Sequence, residues 1–310
     1  MPCARALRPG VERYTVGAPA PRMRPTLALL LDNLFDGYQE QLWLAMREAC
    51  ASHDANLFCF VGGAFSTPAG GQELEGKNLV YELVPRFGVD GLLLVNGALG
   101  YHVADAALLE RLAELSPAPK VSVSRPLPGI PTVVFEDRAA ARAAVRHLVE
   151  VHGCRRIAHV AGPDRPESEA RLDGYRDALA AGGLAFDPAL VVRGDFSREA
   201  GRAAVGELFD VRRVPFDALF AANDYMALYA MRELRARGVR VPEDVRVVGL
   251  DDIADAVGGA PPLTTAVQPL REMGARAVEV LLGMLRGERP PERVPLEGRL
   301  AVRRSCGCAG

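Results

Sequence analysis

Residues 216–253 read FDALFAANDYMALYAMRELRARGVRVPEDVRVVGLDDI, and this stretch decides the fold class. Ala218-Leu219-Phe220-Ala221-Ala222 is an apolar run too short for a helix, and Asn223-Asp224 ends it. From Tyr225 to Arg237 the apolar residues Met226, Leu228, Tyr229, Met231 and Leu234 recur at helical spacing, and Gly238 supplies the stop. Pro242 keeps the next segment a loop. Val245, Val247, Val248 and Leu250 then predict a buried strand ended by Asp251-Asp252. Open parallel sheets bind ligands outside the carboxyl ends of their strands. Asn223, Asp224, Asp251 and Asp252 therefore stand at a candidate ligand edge. Asp224 and Asp252 also suit a helix-capping role, and both readings stand at this level.

The same alternation runs outward in both directions. Leu27–Leu31, Asn56–Val61, 91–95 and Lys120–Ser124 predict strands, with helices over Gly37–Ser52, Leu74–Phe87 and Ala104–Leu115 between them. Gly62–Gly71 is a small-residue loop. After the proline-rich connection 126–131, Val133-Val134-Phe135 leads into a helix over Arg138–Val151 and a strand over Arg156–Ala161. Helices over Ser168–Ala181 and Arg198–Phe209, with a strand over Leu190–Val192, complete the approach to the opening stretch. A helix over Leu270–Arg286 and a last strand near Leu296–Val302 follow it. Strand–helix alternation of this kind specifies an α/β protein with parallel sheets. Gly162-Pro163 and 263–266 read as crossings between two units.

At 310 residues the chain exceeds one ordinary core and fits two. Hydrophobic residues make up 49% and charged residues 25%, an ordinary globular balance. A formal net charge of −2 argues against sequence-independent affinity for nucleic acid. No apolar run approaches the ~18 residues of a membrane span, and residues 1–25 lack the apolar core of a signal peptide, so a cytoplasmic location is expected. No Gly-rich phosphate loop follows any strand, and no nucleophile–base motif is present; neither a cofactor nor enzymatic turnover is expected. Cys306-Gly307-Cys308 allows a soft metal or a disulfide, but the five histidines (His53, His102, His147, His152 and His159) lie apart and are read as offering no pair at metal-binding spacing, so no metal site is expected.

Five segments in register resemble the effector-binding core of LacI/GalR-family regulators: 133–162, HVAGPDRPESEARLDGYRDAL (159–179), GDFSREAG (194–201), 220–252 and LTTAVQPLREMGARAVEVLL (263–282). The resemblance covers about residues 26 to 304. It implies a periplasmic binding protein-like fold, two Rossmann-like parallel-sheet lobes joined by three crossovers. The expected division is an unstructured arm over 1–25, an N-terminal lobe over 26–161 plus 267–293, a C-terminal lobe over 162–266 plus 294–304, and a tail over 305–310.

The resemblance also implies a small polar ligand, a sugar or nucleoside, held between the lobes. Arg171, in the R-x-x-G-Y segment, would point into the cleft and hold hydroxyls or a carboxylate through its planar fork. Asp251 and Asn223 would line the C-terminal side, and Asp137 would contribute a carboxylate from the N-terminal lobe. Asp32, Phe35 and Tyr38 follow the first strand, where the family places polar and aromatic contacts; Phe35 equally suits a core position. Arg171 and Asp251 would be solvated in the unliganded cleft, so replacing either with alanine would cost ligand binding and little stability. The family pairs its cores, which implies a homodimer through 226–234 and 274–282. The family's helix-turn-helix has no counterpart in the proline-rich 25 residues before the first strand, so direct binding to nucleic acid by this chain alone is not expected. A fused or separate output domain is implied. The alternative is a DNA-binding regulator whose DNA-binding part is missing or separate.

Overall fold

A computed structural model of the chain describes residues 24–35, 37–65, 76–100 and 103–309. Most of the arm, most of the loop at 62–71 and the start of the helix expected from Leu74 lie outside the described residues.

Among the described residues, twelve strands fall into two six-stranded sheets. The first takes β1 (Thr26–Leu31), β2 (Asn56–Val61), β3 (Gly91–Val95), β4 (Lys120–Val123), β5 (Thr132–Phe135) and β11 (Arg293–Leu296), in the order β11-β5-β4-β3-β1-β2. All its neighbours are parallel. The second takes β6 (Ile157–Ala161), β7 (Val191–Arg193), β8 (Ala218–Ala221), β9 (Arg246–Asp251), β10 (Thr264–Val267) and β12 (Arg299–Ala301), in the order β12-β10-β9-β8-β6-β7. There only β12 runs antiparallel, against β10.

Buried parallel strands read as continuous apolar runs. β1, β3, β6 and β8 obey this: Leu27–Leu31, Leu92–Val95, Ala158–Ala161 and Ala218–Ala221 are almost wholly inaccessible. The helices are α1 (Gly37–Ser52), α2 (Asn96–Leu99), α3 (Asp105–Leu115), α4 (Asp137–Glu150), α5 (Pro166–Ala181), α6 (Arg198–Gly206), α7 (Asp224–Ala236), α8 (Ala254–Gly258) and α9 (Leu270–Leu285). The segment Leu79–Phe87 is a 3-10 helix with Pro85 inside it, and a π-helical stretch, Glu207–Arg212, extends α6.

The topology corrects the expected boundaries. The first crossing lies between β5 and α4, at Glu136, and not at Gly162-Pro163: α4 packs on β8, β9 and β10, and β6 pairs with β7 and β8. Residues 137–161 therefore belong to the second lobe. The strand expected near Leu296–Val302 is two strands. β11 joins the first sheet and β12 the second, with the third crossing between them at Glu297-Gly298. The second crossing follows β10, because α9 packs on α1, β3, β4 and β5 of the first lobe. The crossings pack closely together. A Cβ on Gly298 would stand 2.4 Å from the Val267 carbonyl oxygen and 2.7 Å from the Phe135 ring, so only glycine fits there.

In the second lobe His159 is sealed between the rings of Phe220 and Tyr175, at centroid distances of 4.9 and 5.0 Å. Its Nδ1 lies 3.0 Å from the Phe220 carbonyl oxygen. Burial pushes its pKa down to about 4, because a charged ring there would be desolvated. The unfolded chain binds that proton more readily, so the stability contributed by neutral His159 is full above about 6.5 and is lost as pH falls toward 4. Between pH 7 and pH 5 the chain should lose about 2 kcal/mol through this group alone. Urea titrations at the two pH values should show that increment in the wild type and lack it in His159→Gln, whatever the variant's absolute stability.

Candidate functional site

Each sheet has the order in which the first strand of the lobe is flanked by the second on one side and the third on the other. The chain reverses direction across the sheet at that strand, leaving a crevice at the carboxyl edge. The crevices lie beside β1/β3 and β6/β8, and residues from both converge on one cleft of about 510 Å³. Asp32, Tyr38, Gly97, Ala98 and Ser124 line it from the first lobe, and Arg165, Arg171, Phe196, Asn223 and Asp251 from the second.

At the floor is a buried triad. Arg171, on α5, is only 5% exposed. Its Nε donates to Asp137 Oδ1 at 2.6 Å, and Nη1 lies 3.8 Å from Asp251 Oδ1. Nη1 also donates to the carbonyl oxygen of Ala222, just past β8. Gln268 donates to Asp251 Oδ1 at 2.7 Å, tying in the end of β10. One guanidinium thus joins the starts of α4 and α7 to the end of β9. Burial disfavours charge on Arg171, but Asp137 and Asp251 more than offset it and raise its pKa. Burial also raises both carboxyls, against the pull of Arg171, because one cation serves two carboxylates; Asp224 adds to the effect on Asp251. Asp251 and Asp252 both take left-handed backbone angles, φ 132° and 64°, which costs non-glycine residues energy and aims their side chains at the cleft and at Arg303 respectively.

The structure brings together six of the seven residues the sequence singles out. Phe35 is the exception: it is 99% exposed and does not line the cleft, so neither a ligand contact nor a core role holds for it. Its backbone N–H donates to Asn33 Oδ1, a local turn that turns the ring outward. Asp32 is held by the side chains of Asn33 and Gln39, and Tyr38 Oη bonds to Ser124 Oγ. Asp137 belongs to the second lobe, not the first. Asn223 lines the cleft, but its amide is already engaged: Oδ1 accepts from Met226 N at 2.9 Å as the cap of α7, and Nδ2 donates to Phe196 O at 3.0 Å.

Capping therefore falls to Asn223 and not to Asp224. Asp224 is fully buried and accepts from Thr265 Oγ1 at 2.6 Å and Ile253 N at 3.0 Å. Asp252 pairs with Arg303 at 2.6 Å.

Sequence reasoning missed Arg165, Phe196, Gln268 and Ser124. Arg165 reaches across the cleft to donate to the Gly97 carbonyl oxygen at 3.2 Å, and burial brings its pKa down to about 10. Phe196 lies 5.6 Å beneath the Arg171 guanidinium. Both follow strand ends, in the turns after β6 and β7, which was the available signal.

Two α/β lobes with a polar cleft at their opposed switch points form a ligand-binding architecture. Residues 145–306 match the periplasmic binding protein-like domain family, and the chain belongs to that family and, within it, to the LacI family. It is 43% identical over 224 residues to the HTH-type transcriptional regulator CelR of Thermobifida fusca, covering 70% of this chain and 63% of that protein. It is 37% identical over 201 residues to the repressor CytR of Escherichia coli, covering 64% and 57%. The matches thus span less than two thirds of either relative. Among solved structures, the CelR–cellobiose complex superposes with a TM-score of 0.75 at 35% identity, covering 91% of this chain and 85% of that one. A LacI-family regulator from Sanguibacter keddieii gives 0.74 at 32% identity, covering 91% and 98%.

The triad reverses the expected effect of mutation. Arg171 is buried and paired within the protein, and removing it leaves two buried carboxylates without their cation. Breaking such a pair costs about 3–5 kcal/mol. Arg171→Ala should therefore lower the unfolding free energy by that amount in urea titration. Phe35→Ala should stay within about 0.5 kcal/mol of the wild type.

Proposed function

We propose that this chain is the effector-binding part of a transcription regulator and that its cleft takes a neutral sugar-type ligand. The observation that carries this reading is the charge balance of the lining. Five carboxylates (Asp32, Asp137, Glu167, Asp195, Asp251) face three guanidiniums, and each guanidinium is already engaged. Arg171 serves the triad, Arg165 holds Gly97 and Glu167, and Arg125 pairs with Asp105 at 2.5 Å. A phosphate or polycarboxylate would meet net negative charge there. A polyol or nucleoside instead offers hydroxyls, which donate to Asp32, Asp137 and Asp251. The CelR–cellobiose complex, a disaccharide bound by a relative, agrees with this.

Ligand held by both lobes favours the closed hinge, and that population shift is the output. With a formal net charge of −2 the chain by itself has little electrostatic drive toward DNA. A thermal-shift screen against cellobiose, other neutral sugars, nucleosides and phosphorylated sugars tests the reading. Neutral sugars should stabilise, by about 2.7 kcal/mol at a hundredfold excess over Kd, and phosphorylated sugars should not. Ala98→Trp, which fills the cleft from α2, should abolish the response. Stabilisation that persists in Ala98→Trp would place the ligand elsewhere.

We also propose a homodimer, but not through the apolar residues of α7 and α9. Met226, Met231 and Leu234, like Ala277, Val278 and Leu281, are consumed in the chain's own core. Among the described residues, five exposed apolar side chains gather instead on edge strand β2 and the adjoining 3-10 helix: Phe58, Val61, Leu79, Leu83 and Phe87. The rings of Phe58 and Phe87 meet there at a tilt, with centroids 4.9 Å apart. Light scattering should give twice 33.2 kDa for the wild type and the single-chain mass for Phe58→Glu.

A further inference from the structure

Far from the cleft, four metal-binding side chains meet: His147, His152, Cys306 and Cys308, with all four candidate ligand atoms within 4.8 Å of one another. This corrects the sequence reading, which found no histidine near the C-x-C pair. His147 occupies the last turn of α4, and His152 follows in the turn that ends at Gly153. The chain then travels through the whole second lobe before Arg304–Cys306, a single 3-10 turn, brings the two cysteines back to that helix end. Gly307 between them takes φ 100°, and a Cβ there would lie 3.5 Å from the His152 ring. The left-handed turn wraps Cys306 and Cys308 around one centre, and glycine is the residue that permits it.

Four of the six ligand–ligand distances are those of a tetrahedron around zinc, and the other two are within 4.8 Å. With Zn–S near 2.3 Å and Zn–N near 2.0 Å, tetrahedral edges come to about 3.3 Å for N–N and about 3.5 Å for N–S. Here His147 Nε2 and His152 Nε2 are 3.3 Å apart. His147 Nε2 lies 3.4 Å from Cys306 Sγ and 3.6 Å from Cys308 Sγ, and His152 Nε2 lies 3.4 Å from Cys308 Sγ. A cation satisfies all four together.

We propose that His147, His152, Cys306 and Cys308 form a structural zinc site that staples the carboxyl-terminal turn to the end of α4. Four protein ligands leave no open position, so the site is structural and not catalytic. The soft sulfur pair with two imidazoles selects zinc over magnesium or calcium. The histidine spacing, four residues between ligands, falls in the range common to structural zinc sites.

The test uses the full chain, purified under reducing conditions. Elemental analysis should find one zinc per chain, and the metal-free chain should take up one equivalent of zinc with release of protons. Cobalt substitution should give the strong visible bands of a tetrahedral ion with thiolate charge transfer. Cys308→Ser and His152→Asn, both partly exposed, should weaken zinc by more than the roughly 10–100-fold that loss of an outer-shell partner costs. Both should lose the zinc-dependent rise in melting temperature. The proposal is overturned if the metal-free wild type takes up no zinc, if both variants bind it as the wild type does, or if the cobalt spectrum is octahedral without charge transfer. A Cys306–Cys308 disulfide as the stable form in reducing buffer would overturn it as well. None of these readouts depends on the cleft ligand.

Discussion

Arg171 is the constraint on which the second lobe and the cleft both depend. A buried guanidinium is costly unless its donors are met, and here they are met by the start of α4, the loop after β8 and the carboxylate closing β9. Those segments come from positions 137, 222 and 251, so the arginine fixes three strand–helix junctions at once. The carboxylates it holds also form the floor of the cleft. The same ion cluster thus positions the elements and supplies the acceptors a ligand would use. Its one positive charge is spent on the protein, which leaves the floor acceptor-rich and suits hydroxyl donors.

Phe135, Val267 and Gly298 meet where the chain passes between lobes, so the three crossings lie side by side. A side chain at Gly298 would wedge them apart. On the cleft side, the Arg165 bond to the Gly97 carbonyl is a direct polar link between lobes. A ligand that meets Asp32 on one side and Asp251 on the other adds to that link, and it biases the hinge by differential contact.

The fold was legible because apolar runs and helical periodicity are local, and the strands and helices follow them closely. Sheet membership was not legible by the same route. β5 and β6 are both short apolar runs, and nothing in Val133–Phe135 or Ile157–Ala161 says which sheet each joins. The proline and glycine at 162–163 drew the boundary to a sharp turn, whereas the chain actually crosses at Glu136, which has neither. Arg171, Asp137 and Asp251 were found through motif position, but their mutual pairing, which makes Arg171 a stability residue, arises only when distant segments meet. Phe35 failed for the opposite reason: its type suited a cleft, and a local turn to Asn33 faces it outward. The histidines stand far from Cys306 along the chain, and the four-residue gap between His147 and His152, overlooked as a ligand spacing, gains meaning only where the fold brings the cysteine turn to it.

The two polar clusters of the second lobe occupy opposite ends of one helix. α4 begins at Asp137 in the cleft and carries His147 in its last turn, a separation of roughly 15 Å at 1.5 Å per residue. The third crossing runs through β12 into the cysteine turn, so its far end is anchored at the same place where α4 ends. A metal there would fix the helix and the last crossing to each other without touching the ligand. On the proposed reading, closure would then have a stiff body to act on: Asp137 would move with α4, α4 with the cysteine turn, and the turn with the strand that leads back to the hinge. A frayed end would let the third crossing shift independently of the cleft, and part of the binding energy would go into local ordering instead of lobe rotation.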